Sequence, residues 1–214
     1  MIISFRESRK HLEAFDFKRL FTEELGWGRS SGRPVPIEAD GATYRLAPIA
    51  ELGGMVVYQC ESQTDGAIPP ANVRKKIDKR VSDLAFEHII IFVDAARMKA
   101  VWQWVKRGTG QSARARQHTY TKGQPGDSLL QKLAGIAFQI DQLDEEGKVA
   151  VSVVAGKVAK AFDVDRVTKR FYTEFKSQHD AMAKFIKGVD AATERAWYAL
   201  VMLNRLMFIR HYWK

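Results

Sequence analysis

The feature that most constrains the fold is an uninterrupted apolar run at residues 88–94, which reads His-Ile-Ile-Ile-Phe-Val-Asp. A continuous run of this kind is typical of a strand that is covered on both faces, whereas a strand with one wet face alternates apolar and polar residues. We therefore expect residues 88–94 to form the central strand of a sheet that is buried on both sides.

Periodicity and turn residues predict the elements around this strand. They are a helix at 8–25, a polar turn at 28–36, a hairpin with strands at 43–49 and 55–60, a helix at 71–85, and a strand at 100–106. This order is compatible with the small mixed α/β core of the PD-(D/E)xK restriction endonucleases, a fold that supports metal-dependent cleavage of phosphodiesters. The expected fold is such a restriction-endonuclease-like core, followed by a helical segment.

The chain changes character near residues 141–147, because strands and turns alternate before this point and the pattern is helical after it. We place a domain boundary there. Residues 1–142 are expected to form a nuclease-like α/β domain, and residues 143–214 a helical connector.

The last predicted helix is unusually apolar, with twelve apolar residues among the fourteen at 196–209. A helix that is apolar all round must be buried. Two alternatives remain open: a three-helix bundle with residues 151–161 and 166–186, or docking on a following domain or a partner subunit. The segment is too short and too interrupted to cross a membrane, where about 20 apolar residues are expected, so no membrane partner is expected.

The charge balance indicates a polyanionic partner, since 34 Lys and Arg residues against 25 Asp and Glu residues give a formal net charge of +9. The single cysteine, Cys60, excludes an internal disulfide and a cysteine-based zinc site. The N-terminal residues show no signal-peptide pattern. Together these features predict a cytoplasmic protein.

The cations concentrate in residues 95–126, which hold seven Lys or Arg residues and no Asp or Glu. Trp102, Trp104 and Tyr120 are interleaved with them, as in a surface that holds phosphates and offers flat rings to sugars or bases. The alternative is that Trp102 and Trp104 alternate along a strand with at least one in the core, and that the cations form a solvated loop. We expect double-stranded DNA as the partner. The predicted contacts are Arg97, Lys99, Lys106, Arg107, Arg114, Arg116, His118 and Lys122.

A PD-(D/E)xK nuclease needs two carboxylates that converge on a divalent cation, and a lysine near the attacking water. The candidate catalytic residues are Glu24, Glu61, Asp94 and Lys106, with Glu61 and Asp94 as candidate Mg²⁺ ligands. The Glu-x-Lys pattern is not intact, because Gln63 stands two places after Glu61. Lys106 lies three residues after Gln103 and so points to the opposite face of its strand. Mg²⁺-dependent DNA cleavage and a non-catalytic basic scaffold, which docks DNA or a partner subunit, therefore both remain open.

Several segments resemble the N-terminal region of type IIG-like restriction-modification proteins, the fused nuclease–methyltransferases of bacterial phage defence. The similar segments are residues 17–27, 88–94, 101–105, 123–133, 161–164, 167–172 and 197–209. The resemblance implies a nuclease-like domain and a helical connector, followed by an adenine methyltransferase domain and a target-recognition domain. The Asn-Pro-Pro-Tyr motif of such methyltransferases does not occur in this sequence. S-adenosylmethionine is therefore expected as a cofactor only of a methyltransferase domain beyond these residues.

Overall fold

A mixed six-stranded sheet organises the first two thirds of the chain in the computed structural model. Its strands are β1 (Val35–Ala39), β2 (Ala42–Leu52), β3 (Met55–Glu61), β4 (His88–Val93), β5 (Lys99–Gly108) and β6 (Gln111–Thr121). They lie side by side in sequence order, and all neighbouring pairs are antiparallel except β3 and β4, which are parallel. The structure describes residues 3–61, 66–108, 111–139, 142 and 148–212, without the side chains at 107, 111–113, 163–171 and 207–212.

The helices complete a mixed α+β fold. They are α1 (Phe5–Glu13), α2 (Phe17–Arg19) with a π-helical turn (Leu20–Glu24), α3 (Ala71–Ser82), α4 (Asp127–Ala134), α5 (Val151–Phe185) and α6 (Ala192–Tyr212). Helix α3 joins β3 to β4, because two parallel strands cannot be connected by a tight hairpin.

Strand β4 is the buried centre of the sheet, as its apolar sequence predicts, and all of its residues are buried. Ile89 and Ile91 point to the side that carries α1, α2, α4 and the start of α5, here called the α1 face. Ile90 and Phe92 point to the side that carries α3, here called the α3 face. The prediction of a strand covered on both faces is confirmed.

The single helix predicted over residues 8–25 is wrong, because the chain breaks at Phe15. The backbone there has φ 55°, in the left-handed region. The ring is buried against Phe17, with a centroid distance of 5.4 Å, and Tyr120, at 5.8 Å. Asp16 then begins α2 by accepting a hydrogen bond from the backbone N–H of Arg19 at 3.2 Å. Burial of one aromatic ring thus outweighs the helical periodicity.

Two strands at the edges of the sheet were not predicted. The turn expected at 28–36 gives way to β1, which begins at Val35, and residues 111–121 form β6. The alternative of a solvated loop for the cationic segment is therefore wrong for these residues. Edge strands pack on one neighbour only, so they tolerate polar sequences without the alternation of a half-buried strand.

The chain divides into two compact units, Met1–Asp163 and Val164–Lys214. The division falls within α5, whose first part contributes Val154, Val158 and Phe162 to the core on the α1 face. The boundary predicted at 141–147 lies almost entirely outside the described residues. Among the helices that the structure describes, none has the length and apolar content needed to cross a membrane.

Candidate nucleic-acid interface

The hairpin of β5 and β6 brings part of the predicted cationic surface together. Lys106 is the cross-strand partner of Arg114, and Trp104 is the partner of Arg116. Because side chains alternate along a strand, Arg114, Arg116 and His118 all point to the α1 face, together with Lys106. Lys106, Arg114, Arg116 and His118 are here called the hairpin cluster.

The hairpin cluster forms a row along an open sheet edge. Alternate residues of an antiparallel strand are about 6.8 Å apart, so Arg114 and His118 stand about 14 Å apart. Lys106 and Arg114 are exposed, and Arg116 and His118 are half-buried. Like charges placed directly opposite each other destabilise a sheet. An anion lying along Lys106 and Arg114 would relieve that repulsion.

Three other predicted contacts lie at the far end of the same hairpin. Lys99 pairs with Thr121, and the backbone N–H of Lys122 donates to the carbonyl of Met98 at 2.8 Å. Lys106 is seven positions after Lys99 in β5, so the two residues stand about 24 Å apart along the strand. The side chain of Arg107, also a predicted contact, lies outside the described residues. The hairpin therefore divides the predicted surface into two separate groups.

Arg97 belongs to this far end and is occupied there by an acidic partner. Its Nη2 donates to Oε1 of Glu61 at 2.6 Å. An exposed ion pair of this kind neutralises much of the charge that Arg97 would offer to a phosphate.

The aromatic rings interleaved with the cations are core residues. Trp102, Trp104 and Tyr120 are exposed by only 0%, 3% and 2%. Trp102 packs edge-on against Phe17 and stacks on Phe21, with ring centroids at 5.1 and 5.9 Å. The expectation that these rings stack on bases is wrong, because other parts of the core cover them: Phe17 and Phe21 pack against Trp102, Phe162 of α5 against Trp104, and Phe15 against Tyr120. The alternative, that Trp102 and Trp104 belong to the core, is confirmed.

Two candidate metal ligands, Glu61 and Asp94, lie at the carboxyl ends of the parallel strands β3 and β4. Glu61 pairs with Val93 across the parallel strands, and Asp94 follows Val93 directly. Both carboxylates are already engaged. Oδ1 of Asp94 accepts the backbone N–H groups of Met98 at 2.8 Å and Lys99 at 2.9 Å, which closes the turn into β5. Glu61 holds Arg97, as described above.

The other two candidate catalytic residues lie elsewhere. Lys106 is at the opposite end of β5 from Asp94, and Glu24 is half-buried in the π-helical turn. Gln63, which takes the place of the lysine in a Glu-x-Lys pattern that begins at Glu61, lies outside the described residues. Within the described part of the chain, no three His, Cys, Asp or Glu side chains are grouped to hold a metal ion. Of the four candidates, Glu61 and Asp94 lie at the same end of adjacent strands, and both are engaged by other groups of the protein.

Cys60 is not a nucleophile in this fold. It is buried on the α3 face, and burial together with the neighbouring Glu61 carboxylate raises the pKa of its thiol to about 12. Because the thiolate is the reactive form, the protonated thiol is inert near neutral pH.

A polar bridge on the α3 face holds the cationic edge strand in place. Nε2 of Gln117 in β6 donates to Oε1 of Gln103 in β5 at 2.9 Å, and Nη2 of Arg74 in α3 donates to Oε1 of Gln117 at 3.1 Å. Burial lowers the pKa of Arg74. The sequence signal for this bridge is Gln103, the one amide within the apolar stretch of β5. None of the predicted site residues is part of it.

No protein-family model matches this chain, and no curated protein or solved structure is significantly similar to it. The residues and their geometry therefore carry the functional argument.

Proposed function

We propose that this chain is a DNA-binding module that holds the backbone of double-stranded DNA through the hairpin cluster, without cleaving it. The observation that carries this proposal is the register of β5 and β6. It sets Arg114, Arg116 and His118 in a row on one face of an edge strand, with Lys106 directly opposite Arg114.

The chemistry of the hairpin cluster favours phosphates over bases. Its groups are guanidinium, ammonium and imidazole, which bind phosphate oxygens, and the nearby rings that could stack on bases are buried. Lysine and arginine contacts to phosphates release counterions and give affinity without sequence readout. The proposed binding is therefore strong at low salt and insensitive to DNA sequence.

The sheet supports a nuclease-like origin for this module. Strands β1, β2 and β3 form an antiparallel meander, and α3 then leads to β4, which runs parallel to β3. This order is compatible with a PD-(D/E)xK-like core. We propose that the module is a nuclease-like part of a cytoplasmic restriction-modification or phage-defence protein. Its partner domains or subunits would then supply methyl transfer from S-adenosylmethionine and target recognition.

Mg²⁺-dependent cleavage is the second candidate function, because the parallel strands bring Glu61 and Asp94 to one edge of the sheet. Two observations argue against cleavage. Glu61 forms an ion pair with Arg97, and Asp94 accepts two backbone hydrogen bonds. Each contact uses one oxygen of its carboxylate, and the guanidinium of Arg97 would repel a cation at Glu61.

Fluorescence anisotropy with a labelled 30-base-pair duplex tests the proposal, with plasmid nicking followed in the same buffers. The measurements compare 50 and 200 mM salt, with Mg²⁺, Mn²⁺ or EDTA. Salt-sensitive binding of duplexes of unrelated sequence, with no nicking in any buffer, is the expected result. Metal-dependent nicking that Asp94→Ala abolishes would replace the binding function with the nuclease function. No binding at 50 mM salt would overturn the proposal.

A further inference from the structure

In the second compact unit, helix α6 packs on α5 through the side that carries Ala196 and Ala199. Ala199 is fully buried, and Ala196, three residues earlier, is half-buried. The carbonyl oxygen of Ala196 lies 2.8 Å from Nε2 of His179 in α5. These contacts identify the side of α6 that faces α5.

The opposite side of α6 carries an ordered stripe. Successive helical residues are about 100° apart, which places Glu194, Tyr198, Val201 and Arg205 in one line, roughly 160° from the line through Ala196 and Ala199. Their spacing of four, three and four residues is the seam spacing of helices that pair along their length. Glu194, Tyr198 and Arg205 are exposed and Val201 is half-buried; Tyr198 is 54% exposed, and Trp197, which flanks the line, is 64% exposed. These five residues are here called the α6 stripe.

The α6 stripe is complementary to the α6 stripe of a second copy when the two helices run antiparallel. Its first residue is acidic, its last is basic, and the residues between them are aromatic or aliphatic. In an antiparallel pair centred between residues 199 and 200, Glu194 of one helix lies opposite Arg205 of the other. The same reversal sets Tyr198 opposite Val201.

We propose that the α6 stripe is the interface of a homodimer, in which two copies of this chain pair their α6 helices antiparallel about a two-fold axis. A two-fold interface uses the same patch on both subunits, so the patch must carry both members of each contact. The α6 stripe meets that condition, with two Glu194–Arg205 pairs flanking an apolar centre.

A shallow cleft at the start of α6 supports this pairing. Val189, Thr193, Glu194, Trp197 and Tyr198 line it. Trp197 lies on one flank of the α6 stripe and is exposed, so the cleft adds accessible apolar surface beside the proposed seam.

The length of the α6 stripe sets the expected strength of the dimer. Glu194 and Arg205 are eleven residues apart, or about 17 Å along the axis. A single helix pair of this length buries less surface than a standard interface of about 1,600 Å². We therefore expect a dissociation constant in the micromolar range.

Sedimentation equilibrium of the full chain from about 1 to 200 µM, without DNA, measures the dimer. Glu194→Arg and Arg205→Glu each create two like-charge pairs, and each should weaken dimerisation about tenfold or more. The double variant E194R/R205E should regain most of the original affinity. An equimolar mixture of the two single variants should form a heterodimer, because every pair is then oppositely charged.

Matched controls separate this charge pattern from net charge and from folding. Asp83→Arg and Lys18→Glu change the net charge by the same amounts in the first compact unit and should leave the dimer intact. Circular dichroism should show unchanged helix content in all variants. A wild-type chain that stays monomeric to 200 µM would overturn the proposal, as would a double variant no better than the single ones. The hairpin cluster is untouched in these variants, so DNA binding is read independently.

Discussion

Replacing Arg114 and Arg116 together by Gln tests whether the hairpin cluster holds DNA. The logarithm of the binding constant falls with the logarithm of salt concentration with a slope of about −0.9 for each phosphate neutralised. Lys106, Arg114 and Arg116 are the permanently charged members of the hairpin cluster. If each neutralises one phosphate, the slope is about −2.7, and affinity falls roughly fortyfold between 50 and 200 mM salt.

The double variant should lose most of this salt dependence. With Lys106 alone remaining, the slope becomes about −0.9, and affinity falls only about three- to fourfold over the same interval. Glutamine keeps part of the aliphatic stem of each side chain, so packing of the half-buried Arg116 changes less than it would with alanine. Thermal unfolding of the variant checks that the sheet is retained.

The matched control is Lys99→Gln with Lys122→Gln, which removes two charges from the other end of the same hairpin. Fluorescence anisotropy with one labelled duplex at four salt concentrations gives the slope for each protein. The control should keep a slope within about 0.5 of the wild type. Equal losses in the two double variants would refute the reasoning, because net charge rather than position on the hairpin would then govern binding.

Three further predictions concern the framework. Trp102→Ala should lower the free energy of unfolding by about 3–5 kcal/mol in a denaturant titration, because the indole is fully buried between the sheet and the residues of α2 and the π-helical turn; a loss below about 1 kcal/mol would contradict its place in the core. Asp94→Ala should lower the free energy of unfolding by about 1–3 kcal/mol, since two backbone N–H groups lose their acceptor. Duplex binding by this variant should not change. Metal-dependent nicking by the wild type that this variant loses would contradict a purely structural role for Asp94. Because the pKa of Cys60 is raised in the folded chain, the folded chain keeps a thiol proton that the unfolded chain loses above pH 9. Protonation of Cys60 therefore contributes fully to the free energy of unfolding below pH 9, and this contribution is lost as the pH rises towards 12. Chemical denaturation at pH 7 and pH 10 should show a loss of stability of about 1 kcal/mol in the wild type that is absent in Cys60→Ala, and equal losses in both would refute the assignment.

Much of the sheet could be predicted because its central signals are local. The apolar run of β4, the glycines between β2 and β3, and the alternation of β5 each specify a strand without reference to the rest of the chain. Strands β1 and β6 could not be predicted in this way. They lie at the edges of the sheet, and their polar residues gain strand structure by pairing with β2 or β5 in a hairpin rather than from an apolar pattern of their own.

The sequence by itself determined the central strand, the excess of cations at residues 95–126, and the exclusion of a disulfide within these residues, because each depends only on the kinds of residue present and their order. Only the tertiary structure decided which cations act together. The register of β5 and β6 groups Lys106 with Arg114 and separates both from Lys99. Burial by helices that are distant in sequence removes Trp102 and Trp104 from the surface. Parallel pairing brings Glu61 and Asp94 to one edge, yet an ion pair and two backbone hydrogen bonds engage them there. The distances between charged residues on the surface depend on strand pairing and helix packing. For this reason the tertiary structure, and not the order of residues alone, decides which of them can bind one partner.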